Sequence, residues 1–269
     1  MKKLLCMSLI AAVVTLSACN ETPANLEESR TEPSEESRNE TSLKEAEYVV
    51  GLPSYMGFEN VQALTDMASD VIIGEPTNIS FKVFDAETGL PPTEKTDSSS
   101  RWLATVYDIN VSETFMGEVR GSIQIIMGGG LKNYRVEEQL KVMEEFGSHT
   151  PPGVIPLIEG VPKLDIGEKY LFTLRKSSTG LFSPMIPQQS VYELDNPFRK
   201  HSLSEGANDD YSYDSKNGPG GGNALISAYD IISTFGEDKR ESFWGDWQRD
   251  NPDWESRIDR AEVERVLGE

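Results

Sequence analysis

The sequence predicts an α+β fold, in which an antiparallel sheet carries one inserted helix and is followed by helices near the C terminus. Between residues 102 and 115, apolar and polar side chains alternate, as in a strand with one face in water. Residues 134–147 and 224–235 instead place apolar side chains three and four positions apart, which is the helical period. The two periods together indicate a sheet with added helices.

The chain begins with a segment typical of secretory signals. Two lysines precede an apolar run over residues 4–16, and the run ends with Leu-Ser-Ala followed by Cys19. The run is too short to span a bilayer as a helix. This ending resembles the bacterial lipobox, which implies cleavage after residue 18, diacylglycerol on the Cys19 sulfur and an N-terminal acyl chain such as palmitate. The expected location is the extracytoplasmic face of a membrane. An ordinary secretory signal is the alternative.

Charge and cysteine content narrow the expected partners. The formal net charge of the 269-residue chain is −20, and loss of Lys2 and Lys3 with the signal makes it two units more negative. Such a chain repels nucleic acid and anionic lipid headgroups and favours basic partners. Because Cys6 lies within the signal, the processed chain keeps Cys19 alone. We expect no disulfide, no cysteine-based zinc site and no cofactor beyond the lipid.

Residues 19–47 are predicted to be an acidic disordered tether. They contain nine acidic residues against Arg30, Arg38 and Lys44, with almost no large apolar side chain. A segment of this composition cannot bury enough apolar surface to offset its ordering entropy. The folded domain is therefore expected to begin at residue 48.

The first elements of that domain are a helix and a strand. Residues 59–68 show helical spacing with Asn60 as the N-cap. Residues 71–74 form a β-rich run that continues less regularly to residue 83. Residues 87–100 are rich in proline, threonine, serine and glycine and are predicted to be a surface loop.

The centre of the chain carries the clearest strand. Tyr107, Ile109 and Val111 alternate with polar residues and are expected to face the core. Residues 122–127 form the next strand, which three glycines end. A helix over residues 134–147 then follows, inserted between strands.

The C-terminal part is predicted to contain three further strands and two helices. The strand over residues 169–175 is regular, whereas those over 181–186 and 190–194 are interrupted by prolines. A largely apolar helix over 224–235, capped by Asn223, should pack on the sheet. The last helix is expected over 251–267, with Asn251 as its cap and Pro252 in its first turn.

Several of these segments resemble the OB-like barrel of netrin modules and tissue inhibitors of metalloproteinases. Ala-Ser-Asp-Val-Ile-Ile-Gly at residues 68–74 is similar to the segment that opens that barrel. The strand over 105–115 ends at Gly117, and Gly-Glu-Lys-Tyr-Leu at 167–171 is similar to its closing segment. Met116 replaces the usual lysine, and the cysteines of the animal family are absent.

The resemblance implies a fold but none of that family's inhibitory residues. Those inhibitors chelate zinc through a free N-terminal cysteine, whereas here Cys19 would be acylated and separated from the domain by the tether. The expected organisation is a signal peptide over residues 1–18, a tether over 19–47 and an OB-like domain over 48–269. Its barrel core is expected over about residues 68–195, and its C-terminal helical extension over about residues 223–269.

Catalytic and metal-binding patterns are sparse. His149 and His201 both lie in loops, and no zinc-protease or nucleophile-elbow motif occurs. Asp209, Asp210 and Asp214 lie in the polar, glycine-rich loop over 201–222 and are weak candidates for calcium. They do not complete an EF-hand, because the expected glycine and the final glutamate are missing. We favour a solvated loop.

Aromatic residues near the C terminus are the remaining candidates for binding. Trp244, Trp247 and Trp254 lie within eleven residues, beside Phe243. Such a cluster can stack on a sugar or lie at a membrane interface. We favour packing of the last helix onto the domain, and expect this first for Trp254.

The sequence therefore predicts a membrane-tethered lipoprotein that acts as a non-enzymatic binding module at the cell surface, with a protein or glycan partner. The alternatives are an accessory or inhibitor of a secreted or envelope enzyme and, third, an enzyme with an unrecognised site.

Overall fold

A mixed six-stranded sheet organises the described part of the chain, and helices pack around it. The fold is taken from a computed structural model that describes residues 46–51, 58, 60–147, 150–199 and 226–267. All of them belong to one unit of the chain, Lys44–Glu269. The predicted α+β class is confirmed.

The strands and helices follow one another in this order along the chain. They are β1 (Glu47–Gly51), α1 (Val61–Met67), β2 (Asp70–Asp85), β3 (Arg101–Met116), β4 (Ser122–Gly128), α2 (Val136–Phe146), β5 (Val154–Ile158), β6 (Tyr170–Lys176), β7 (Phe182–Pro184), α3 (Pro187–Ser190), β8 (Val191–Glu193), α4 (Ala228–Ser233), α5 (Glu237–Asp250) and α6 (Arg260–Leu267).

Strand β2 includes the whole run predicted over residues 71–83 and exceeds it by one residue at its start and two at its end. It runs without a break past residue 74 to Asp85, pairing antiparallel with β3, while its first five residues also pair antiparallel with β6. Register shifts next to Val71, Ile73 and Pro76 mark bulges, which bend a strand and accommodate a proline. These bulges explain the irregular pattern after residue 74.

The remaining pairings lead back to β2. Strand β3 pairs antiparallel with β4, β4 pairs parallel with β7, and β7 pairs antiparallel with β6, which reaches β2. Strand β8 pairs with the first half of β6. The parallel pair of β1 and β5 was not predicted, because both strands have only five residues and β5 contains Pro156.

The face assignment of β3 is confirmed. Tyr107 and Ile109 are fully buried in the largest core cluster, Val111 packs against it half-buried, and Asn110 is exposed. The Tyr107 hydroxyl accepts a hydrogen bond from the backbone N–H of Leu164 (3.3 Å), which holds the segment before β6 against the core. Burial raises the pKa of Tyr107.

The inserted helix is confirmed as α2. It is joined to the preceding segment by Gln139, which is fully buried. The Gln139 side chain accepts a hydrogen bond from Leu131 N (2.9 Å) and donates to the carbonyl oxygens of Leu131 (2.9 Å) and Tyr134 (2.5 Å).

Two predictions for the C-terminal helices are wrong in their boundaries. Helix α4 begins at Ala228, and its N-cap is Ser227, which forms a capping box with Asp230. Asn251 does not cap a helix over 251–267; it ends α5, with its backbone N–H and its side-chain amide both donating to Trp247 O. A short 3-10 turn and α6 then follow.

Candidate binding surface

The loop between β2 and β3, residues 86–100, is held by side chains at both of its ends. We call it the braced loop. The sequence predicts this segment as a surface loop, and the structure confirms this, with a short 3-10 turn over Ser98–Ser100. Asp85 and Arg101 are directly paired across β2 and β3, where the two strands meet the loop.

Asp85 holds the first half of the braced loop. Its carboxylate accepts hydrogen bonds from the backbone N–H groups of Glu87 (2.9 Å) and Thr88 (3.4 Å) and from the Thr96 hydroxyl (3.0 Å). The pKa of Asp85 lies below its ordinary value, mainly because the carboxylate accepts the hydrogen bond from the Glu87 N–H. Burial acts in the opposite direction. The ionised carboxylate is therefore the form that organises the loop.

Arg101 holds the second half and joins it to α2. Its guanidinium donates to the carbonyl oxygens of Thr96 (2.7 and 3.1 Å), Thr93 (3.2 Å) and Phe146 (2.6 Å). A planar guanidinium presents several N–H donors in fixed directions, so one side chain can serve three separate carbonyls. The braced loop and the end of α2 consequently form one surface.

Two exposed large apolar side chains belong to these elements, Leu90 to the braced loop and Phe146 to the end of α2. Leu90 is 50% exposed and Phe146 is 37% exposed. Both are attached to the brace through their backbones, because Leu90 O accepts from Asp85 N (2.9 Å) and Phe146 O accepts from Arg101. Glu87, Glu94 and Asp97 of the braced loop outnumber its one basic residue, Lys95. The braced loop therefore combines an exposed apolar side chain with an excess of acidic residues.

The loop between β6 and β7 lies beside the braced loop. A Cβ atom placed on Gly89 would lie 3.7 Å from Thr179 Oγ1. Near the bases of these loops, Phe84 and Trp102 are in ring contact (5.9 Å between centroids) within a third apolar cluster that includes Leu181. This cluster supports both loops from below.

A row of polar side chains crosses β2, β3 and β4. Asp108 accepts hydrogen bonds from the side-chain amides of Asn78 (2.9 Å) and Gln124 (2.7 Å), which occupy the paired positions on the neighbouring strands. These two bonds, with Lys82 nearby, lower the Asp108 pKa. Amides and a carboxylate in one exposed row are groups that can bind hydroxyls.

The three C-terminal tryptophans contact one another. Trp244 stacks on Trp247 (5.2 Å between centroids) and meets Trp254 edge-on (5.3 Å). Trp247 is 5% exposed and donates through Nε1 to Leu194 O, whereas Trp244 and Trp254 are half-buried. These contacts support the packing interpretation most strongly for Trp247, and less for Trp254, which lies in a 3-10 turn.

The other predicted site residues lie outside the described residues. These are the lipidation candidate Cys19, the histidines His149 and His201, and the calcium candidates Asp209, Asp210 and Asp214. Within the described ranges, no group of three or more histidine, cysteine, aspartate or glutamate residues is arranged to hold a metal ion. No helix in the part of the chain that the structure describes is long and apolar enough to cross a bilayer.

Sequence reasoning missed Asp85 and Arg101. An aspartate at the start of a loop is a recognised turn signal, so Asp85 could have been found by its ability to accept from N–H groups two and three residues later. Nothing in the sequence around Arg101 points to Phe146, which is 45 residues away.

No protein-family model matches the chain, and no curated protein matches it.

Proposed function

We propose that this protein is an exported, lipid-anchored and non-enzymatic module that binds a protein partner at the cell surface through the braced loop. The observation that carries the proposal is the bracing by Asp85 and Arg101, which fixes both halves of the loop while Leu90 stays exposed. A loop that is already ordered loses little conformational entropy on binding.

We further propose that the sheet is an OB-like barrel of the netrin-module type. The strand pairings support this, since they run from β2 through β3, β4, β7 and β6 back to β2. The loop between the first two strands of an OB fold and the loop between its last two are common ligand-binding loops. On this proposal, the braced loop and the β6–β7 loop are the counterparts of these two loops.

A protein partner fits this surface better than a glycan. Exposed Leu90 and Phe146 offer apolar anchors, and the acidic groups of the loop favour a partner with a basic rim. A glycan would use the polar row of Asn78, Asp108 and Gln124 instead.

The runner-up function, accessory or inhibitor of a secreted or envelope enzyme, uses the same surface. A braced loop at the end of a sheet is suited to entering a cleft of a partner. The identity of the partner distinguishes the two functions, because an accessory or inhibitor would bind an enzyme. An enzyme with an unrecognised site is the third proposal.

The membrane anchor in this proposal is Cys19. One thioether-linked diacylglycerol with an N-terminal acyl chain gives durable anchoring, because a single chain alone binds membranes only reversibly. Cys19→Ala should leave the protein unprocessed or release it from the membrane fraction. Mass spectrometry that finds an unmodified Cys19 in the membrane-bound protein would contradict the anchor.

Crosslinking in intact cells tests the binding surface. A photoreactive amino acid replaces Leu90 in one variant and Ile166 in a matched control, since both side chains are 50% exposed. We expect one defined protein partner from position 90 and none from position 166. The same products from both positions, or a glycan product alone, would contradict the proposal.

A further inference from the structure

In the part of the chain that the structure describes, β1 is paired along one edge only; we call its other edge the open edge. The bonds from Glu47 N to Gly153 O (3.1 Å) and from Glu159 N to Gly51 O (3.0 Å) show that Glu47 and Gly51 direct their backbone groups toward β5. The backbone N–H and C=O groups of successive residues point to opposite edges of a strand. Tyr48 and Val50 therefore direct these groups away from β5. Within the described ranges, no group bonds to these two donors and two acceptors.

This edge lacks three features that commonly protect an edge strand, namely lysine, proline and a bulge. Its residues are Glu-Tyr-Val-Val-Gly, with no lysine and no proline, and its register with β5 runs without a bulge. The Val49 side chain is 49% exposed. Natural proteins commonly place lysine, proline or a bulge at such edges to prevent pairing with another chain. Their absence from β1 is consistent with an edge that pairs.

The strand is also held in place. The Tyr48 hydroxyl accepts from Asn133 N (3.0 Å) and donates to Asn133 Oδ1 (3.2 Å). Tyr48 and Val50 pack against the main core cluster. An incoming strand would therefore meet a template that needs no ordering.

Charge indicates what the edge can bind. Residues 20–47, which lead directly into β1, contain nine acidic residues against three basic ones. A second copy would add another chain with a formal charge of −20, which opposes self-association at this edge. An extended segment that carries lysine or arginine is attracted to it instead.

We propose that the open edge of β1 binds an extended, basic segment of a partner protein by addition of a β-strand. The backbone groups of Tyr48 and Val50 supply the hydrogen bonds, and the exposed Glu47, in a chain of strongly negative net charge, favours positive charge in the partner. The inference uses residues other than those of the braced loop and does not depend on the proposed function.

The probe for the test is a fluorescent peptide in which lysine alternates with valine, compared with an analogue that has glutamate in place of lysine. Val50→Pro removes one open-edge N–H, and Val50→Ala loses comparable packing but keeps that N–H. We expect the lysine peptide to bind Val50→Pro about tenfold more weakly than Val50→Ala, as loss of one backbone hydrogen bond predicts. The glutamate peptide should bind all forms more weakly than the lysine peptide.

A second pair of variants keeps every backbone N–H of β1. Val49→Lys and Val49→Glu change only an exposed side chain. Val49→Lys should weaken binding of the lysine peptide, and Val49→Glu should strengthen it. Equal binding of both peptides, equal binding by the two Val50 variants, or a dimer of this protein that Val50→Pro abolishes would each overturn the proposal.

Discussion

Asp85 and Arg101 lie opposite each other at the ends of β2 and β3, and their side chains together bond to both halves of the loop that joins these strands. Asp85 accepts from backbone N–H groups, and Arg101 donates to backbone carbonyls. The pair therefore supplies hydrogen-bond partners to both N–H and C=O groups of the loop, whose backbone is not paired as in a β-sheet. This relationship converts a loop rich in serine, threonine and proline into a defined surface.

Low pH should loosen the braced loop. The Asp85 pKa in the folded protein lies below its ordinary value of 3.8. A carboxylate of this kind contributes stability that is complete above its unfolded pKa and is lost as the pH falls through its folded pKa. Amide exchange in residues 86–97, corrected for intrinsic rates, should therefore rise below pH 3.8.

The control for that experiment is Asp85→Asn. It should show fast exchange in the braced loop already at pH 7 and little further change in acid. A loop that exchanges equally slowly in wild type and Asp85→Asn would show that the carboxylate does not organise it.

Arg101→Lys should weaken the brace without unfolding the domain. A lysine ammonium cannot reach three carbonyls with the fixed geometry of a guanidinium, so we expect the free energy of unfolding to fall by about 1–2 kcal/mol. Arg120→Lys is the matched control, because Arg120 donates to the carbonyl of its neighbour Val119. Equal denaturation midpoints for the two variants would show that Arg101 does not stabilise the braced loop.

Two buried threonines should respond in opposite directions to replacement by valine. The Thr105 hydroxyl donates to Gly129 O (2.9 Å), whereas the buried Thr173 hydroxyl has no hydrogen-bond partner among the described residues. Thr105→Val should lower the free energy of unfolding by about 1–2 kcal/mol, and Thr173→Val should raise it by about 1 kcal/mol. Chemical denaturation of the two variants measures both effects, and a loss of stability in Thr173→Val would indicate a bound water at that hydroxyl.

Trp247→Ala should destabilise the domain more than Trp254→Ala. Trp247 is buried and hydrogen-bonded to Leu194, so its truncation should cost about 3–5 kcal/mol. Collisional quenching of single-tryptophan variants provides an independent measurement. A readily quenched Trp247 in the folded protein would overturn the packing interpretation and favour a binding role for these tryptophans.

Long periodic segments were predictable from the sequence, and the elements that depend on distant partners were not. The alternation in β3 and the helical spacing of α2 each identify a buried face without knowledge of the rest of the chain. Helix α5 was missed because its buried residues are only Phe243 and Trp247, and Gly245 lies between them. Strands β1 and β5 are short and pair with each other although they lie far apart in the sequence.

The braced loop shows the same limit at the candidate site. The sequence identifies it as a loop from its proline, threonine, serine and glycine content. Its order depends on the register that places Asp85 beside Arg101 and on the contact of Arg101 with Phe146. Both relationships arise only after β2, β3 and α2 have packed.

The most direct test of the proposed function is the affinity of the purified partner, once captured from position 90, for two matched surface variants. Leu90→Asp and Ile166→Asp each place a charge on a side chain that is 50% exposed, and only Leu90 belongs to the braced loop. We predict that Leu90→Asp weakens binding at least about tenfold, as expected for loss of an interface anchor, and that Ile166→Asp leaves it unchanged. Equal affinities of both variants and the wild type would contradict a partner bound through the braced loop.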